Sequence, residues 1–174
     1  MTDTDILPTL SFQCADAIEV SILIERQGIR FYEKASKVAK EPRVRSVFAQ
    51  LAQEEKDHMQ ALQAKSGFLQ PALPGKSMGK RAVEPSLAEL IKTEIFPDEP
   101  KREADPAQLK TDEEAIEMGI QSEMRSIAIL EKLLERERKM DVRAVFAHLL
   151  AEEQRHLILL RNMKEQLGEG SASA

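Results

Sequence analysis

A chain of 174 residues with a single cysteine, Cys14, and a formal charge of −5 can bury one domain's core. It cannot build a disulfide framework or a cysteine-based zinc or iron–sulfur site within itself. Its Lys and Arg are spread along the chain rather than clustered, which argues against a nucleic-acid partner. With 7 glycines, 4% aromatics and abundant Ala, Leu, Ile, Glu, Lys and Arg, the composition favours helix. No basic leader with an apolar core opens the chain and no run approaches about 18 apolar residues, so a cytoplasmic protein without membrane contact is expected.

Residues 1–10 are polar and end near Pro8, and they read as a flexible N-terminal arm. From Ser11 to about Lys40, Ala15, Ile18, Ile22, Ile29 and Tyr32 fall alternately three and four apart, the seam of a helix packed in a bundle. Between Ile22 and Ile29 that seam is occupied by Glu25. Glu41-Pro42 then breaks the pattern, and proline suits the first turn of a new helix, so the chain should turn back antiparallel. The second helix, to about Lys65, has the seam Val44, Phe48, Leu51, Glu55, His58 and Leu62. Glu54 lies about 100° round from Glu55 and flanks the seam.

Between 66 and 110 eight punctuating residues, from Pro71 to Pro106, interrupt a polar stretch. Ser86 can cap a short helix through Ile95. A connection this long needs a purpose, and crossing a bundle whose helices span on the order of 40 Å supplies one. The third helix, about Thr111 to Arg138, has the seam Ile116, Ile120, Glu123, Ile127, Leu130 and Leu134. Asp141 can cap a fourth with the seam Val142, Phe146, Leu149, Glu153, His156 and Leu160, and the tail 168–174, GEGSASA, should be disordered. The expected organisation is a domain over 11–167, made of a hairpin 11–66, a crossover 67–110 and a hairpin 111–167.

The two hairpins repeat one another. Ten of the nineteen positions in Val44–Leu62 are identical in Val142–Leu160, and Glu25/Glu123, Glu55/Glu153 and His58/His156 are each separated by 98 positions. Related by an approximate two-fold, the halves would bring four carboxylates and two imidazoles together at mid-bundle. Four ionised carboxylates in a low-dielectric core repel and lose solvation worth several kcal/mol each. No lysine or arginine occupies the seams to compensate. Two divalent cations would neutralise them, as in di-metal carboxylate bundles that combine one Glu from each of two helices with Glu-x-x-His from the others. By ligand type the set suits iron first, then manganese or zinc. Glu19/Glu117 and Glu33/Glu131 also repeat, but off the seam, and read as solvated faces. His148 corresponds to Gln50 and is not expected to be a ligand.

With EEKDH at 54–58, EEQRH at 152–156 and IERQGIRFY at 24–32, the chain resembles a rubrerythrin-type member of the ferritin-like superfamily. The resemblance implies an all-α, ferritin-like four-helix bundle with two iron ions. Glu25 and His58 would be terminal ligands of one, Glu123 and His156 of the other, with Glu55 and Glu153 bridging. It implies that Tyr32 hydrogen-bonds a ligand carboxylate, and Leu130 stands at its counterpart position, so the two sites should differ. Two departures stand out. The paired Cys-x-x-Cys motifs of a rubredoxin domain are missing, so a separate electron donor such as a rubredoxin is expected. Ser126 stands where the family carries a further glutamate. Reduction of hydrogen peroxide or dioxygen by a homodimer is the leading expectation. Ferritin-like iron sequestration with ferroxidase activity, and a metal-free helical interaction module, are the alternatives.

Overall fold

The computed structural model describes residues 14–69 and 110–171, with side chains described over 14–65 and 110–168. Among the described residues there are four helices and no strand: α1 Cys14–Val38, α2 Pro42–Leu69, α3 Asp112–Arg136 and α4 Met140–Ser171. The arm 1–10, the short helix at 86–95 and the crossover from 70 to 109 lie outside the described residues. None of the four helices is long and apolar enough to cross a membrane.

Three helix ends differ from expectation. α2 continues past Lys65 to Leu69, and α4 runs through Gly168 to Ser171 where a disordered tail was expected. Gly168 and Gly170 each cost a helix about 1 kcal/mol, which the rest of a 32-residue helix absorbs. α4 also begins two residues early: Arg143 N–H donates to the Lys139 carbonyl at 2.9 Å. Asp141 therefore sits inside the first turn, where its charge complements the helix dipole, instead of capping it.

The turns are held by side chains. Pro42 opens α2, where its missing N–H costs nothing. Thr111 caps α3 by accepting from Glu114 N–H at 3.1 Å, and Glu114 accepts in return from Lys110 N–H at 2.8 Å. At the two interhelical turns the same device recurs 98 positions apart. The Arg45 guanidinium donates twice to the Ala39 carbonyl, at 3.3 and 3.0 Å, just past the end of α1. The Arg143 guanidinium donates to the Leu134 and Glu137 carbonyls at the end of α3.

Asp112, at the start of α3, accepts from the N–H groups of Lys40 at 2.9 Å and Glu41 at 2.6 Å. The start of α3 therefore lies at the α1–α2 turn, so Leu69 and Lys110 are at opposite ends of the bundle, as the crossing expectation requires. Replacing Asp112 with alanine removes the partners of two backbone donors and should cost about 1 kcal/mol. Urea unfolding would read this as a lower midpoint at unchanged slope.

Every seam residue predicted in α2 and α4 is buried except His58, which is half-buried. The buried stripe is wider than the seam, taking in Ala17, Val20, Ser21 and Ile24 on α1 and Leu133 on α3. A bundle helix facing two neighbours buries more than an a/d line. Apolar clusters fill the bundle on both sides of its middle. One gathers Tyr32, Val44, Phe48, Ile116, Ile120 and Leu160. The other gathers Val20, Ile24, Leu130, Val142, Phe146 and Leu149. Between them lies a polar layer.

Candidate metal centre

The polar layer is built from one face of each helix. Glu25 on α1, Glu55 on α2, Glu123 on α3 and Glu153 with His156 on α4 are all at most 3% exposed. Their ligand atoms form two groups: Glu25, Glu55 and His58, and Glu55, Glu123, Glu153 and His156, with the atoms of each group all within 4.8 Å of one another. All six residues expected from the repeat are therefore brought together. Glu55 belongs to both groups, whereas Glu153 joins only the second.

Both imidazoles turn Nδ1 inward. His156 Nδ1 is 3.5 Å from Glu55 Oε1, 3.6 Å from Glu153 Oε2 and 3.8 Å from Glu123 Oε1. His58 Nδ1 is 3.6 Å from Glu25 Oε1. These separations are too long for good hydrogen bonds, and near the roughly 3.0–3.5 Å between two ligands sharing one ion at about 2.1 Å. Both oxygens of Glu25, Oε2 of Glu55 and of Glu153, and Nδ1 of each histidine are buried without a hydrogen-bond partner. Orphaned buried polar atoms are costly, and here they converge. A pair of cations satisfies them together, so the residues present fit a binuclear metal site.

Outside the ligand groups, the hairpins exchange contacts. Glu54 Oε2 of α2 lies 3.3 Å from His156 Nε2 of α4, and Glu152 Oε2 of α4 lies 2.8 Å from His58 Nε2 of α2. Each Glu-Glu-x-x-His thus points its second glutamate into the layer and its first at the other hairpin's imidazole. Each contact places a carboxylate beside an Nε2, but neither closes as a hydrogen bond, because Glu152 Oε2 and His156 Nε2 are both buried without a partner. The role of Glu152 was missed in the sequence, although the doublet Glu54-Glu55 recurs at the offset of 98 and would have revealed it. Arg155 pairs with Glu152 on the outside. The two imidazoles stack, with ring centroids 5.8 Å apart and planes 14° apart.

The Tyr32 hydroxyl donates a hydrogen bond to Glu123 Oε1. Its ring stacks on Phe48 at 6.0 Å and meets Phe31 edge-on at 5.2 Å, so one wall of the layer is dry and rigid. Burial and the neighbouring Glu123 carboxylate push the phenol's pKa well above its usual value, keeping it a donor. Leu130, at the counterpart position, is fully buried and supplies no hydroxyl to Glu25.

Burial pushes the Glu25 carboxyl up to about 7, with Glu153 adding to the shift. Burial also raises Glu55 and Glu123 well above the carboxylate range, reinforced for both by Glu153. His156 goes the other way from what burial alone would do. The carboxylates of Glu153, Glu55 and Glu123 hold it protonated, up to about 11. Burial and His156 together lower His58. Without cations, this layer holds protons that the same groups would release in water.

The off-seam acids behave as surface groups. Glu33 pairs with Lys56 and Glu117 with Lys164, each at 2.6 Å. His148 is exposed and belongs to neither ligand group.

A family model described as rubrerythrin matches residues 16–164. Searches of curated proteins and of solved structures give no match.

Proposed function

Because the chain belongs to the rubrerythrin family, we propose that it is a di-iron carboxylate oxidoreductase that reduces hydrogen peroxide or dioxygen. The observation that carries this reading is the convergence of buried, unpartnered carboxylate oxygens and imidazole Nδ1 atoms in two groups that share Glu55. Glu25 and His58 would hold one ion, Glu123 and His156 the other, with Glu55 common to both and Glu153 assigned with it as a bridge. Two iron ions bound there would supply electrons and Lewis acidity.

The protein's own part is to hold the ligands and manage protons. Glu54 and Glu152 stand beside Nε2 of His156 and His58, a placement that would favour a proton on Nε2 and leave Nδ1 to bind once the ions are held. Tyr32 keeps its proton and orients one Glu123 oxygen. The apolar layers on either side exclude water and strengthen every charge interaction between them. His58, with a side chain 20% exposed against 1% for His156, marks the side from which a small oxidant would enter. A rubredoxin-type electron donor and a homodimeric assembly are the partners we assign.

A second reading, iron sequestration with ferroxidase activity, is favoured by one residue. Ser126 on α3 offers no carboxylate where the family carries a further glutamate, so a ligand used in the family's redox cycle is missing. Anaerobic stopped-flow mixing of the ferrous protein with each oxidant separates the two. Fast oxidation by peroxide, reversed by added reductant over repeated cycles, is expected for the oxidoreductase. Net ferric accumulation beyond two irons per chain would favour sequestration. Oxidation no faster than that of free ferrous iron would overturn both.

A further inference from the structure

The sharing of Glu55 has a steric origin on α1. A Cβ built on Gly28 would lie 2.4 Å from Glu55 Oε1 and 2.7 Å from its Cδ. The carboxylate therefore occupies the volume that any other residue's Cβ would fill. The same Oε1 stands 3.5 Å from His156 Nδ1, so the position over Gly28 is also the one from which Glu55 reaches the second ligand group. Glu55 is 2% exposed and has Glu25, Glu123 and Glu153 around it, so it has little room to retreat.

The internal repeat supplies the comparison. Ninety-eight positions after Gly28 stands Ser126, three residues beyond Glu123 as Gly28 is three beyond Glu25. Ser126 carries a Cβ, and Glu153, the counterpart of Glu55, takes part in one ligand group only.

We propose that Gly28 is a positioning residue that gives Glu55 the room to reach both ligand groups, room that the Cβ of Ser126 takes up at the counterpart position. The inference rests on the binuclear reading above. It gives α1 a part in placing Glu55 as well as in supplying Glu25.

The test is Gly28→Ala in the full chain, titrated with ferrous iron alone under argon, with calorimetry for affinity and elemental analysis for stoichiometry. The metal-free variant should still fold to a helical protein that melts cooperatively, at a temperature no higher than the wild type's, because the Glu55 carboxylate must shift within a packed layer. Its affinity for at least one of the two ions should fall by about tenfold or more, the range seen when a ligand loses its support. Gly28→Ser should behave alike. Two ions bound with wild-type affinity would overturn the proposal. So would a metal-free variant that no longer melts cooperatively and has lost both ions, since that is the signature of a glycine needed for packing alone. If the wild-type protein itself failed to bind two ions, the binuclear reading would fall first, and the wild-type titration shows this separately.

Discussion

Glu55→Gln should leave a folded protein that no longer takes up two ions. Glu55 is the one carboxylate common to both ligand groups, so a single substitution withdraws a ligand from each. Changes to residues that merely support a ligand typically cost 10- to 100-fold in affinity, and loss of a shared ligand should exceed about 100-fold for at least one ion. Glutamine keeps the size and burial but removes an acid that burial and its neighbours hold in an unfavourable state. The metal-free variant should therefore be more stable than the metal-free wild type, while the rise in melting temperature on adding iron disappears. These opposite signs distinguish loss of a ligand from loss of structure. Elemental analysis after reconstitution, with thermal melts in chelator and in iron, reads both. Retention of two irons per chain by Glu55→Gln would refute its assignment. Glu131→Gln, an exposed acid off the seam, serves as the unaffected control.

The second large effect is the pH dependence of the chelator-treated protein. Glu25 is raised from 4.5 to about 7 and His156 from 6.5 to about 11, and Glu55 and Glu123 are raised as well. A raised folded-state pKa means that the folded chain binds more protons than the unfolded one, so stability falls as pH rises. The contribution from Glu25 is fully present below about 4.5 and lost as pH rises through about 7. That of His156 is present below about 6.5 and lost toward about 11. His58, lowered by burial and by His156, works in the opposite sense, its contribution being lost as pH falls. The shift at Glu25 alone corresponds to roughly 3 kcal/mol. The groups titrate as a set rather than independently. Urea midpoints in chelator should fall from pH 5 to pH 8, with the steepest change below 7. In iron the trend should invert, because the ligands bind only when deprotonated and the stabilisation by metal grows with pH. A chelator-treated protein whose stability was flat or rose with pH would contradict the protonated layer.

The six residues that meet in the polar layer were legible because each interrupts an apolar seam and each recurs at one offset. Pattern and charge conflict there, and the conflict marks the site. Four features were not legible, each for a physical reason. The cross-pairing of Glu54 and Glu152 depends on which helices are neighbours, which periodicity within one helix does not specify. The need for a glycine at 28 arises from a carboxylate 27 residues away in sequence, and in a helix Gly28 shows no local signal. Asp112 reads as an ordinary acidic first-turn residue, yet it serves the α1–α2 turn some 70 positions earlier. α4 outlasts Gly168 and Gly170 because two weak residues near its end do not stop a long helix.

The two ligand groups also differ in how far along the chain they must be gathered. Glu25, Glu55 and His58 lie within one hairpin, whereas the second group needs Glu55 together with Glu123, Glu153 and His156. Contacts within a hairpin close short loops and form early, while those between hairpins wait on long-range closure. The first three residues need only the α1–α2 hairpin to be gathered, whereas the second group also needs α3 and α4 docked against it, and Glu55 serves in both.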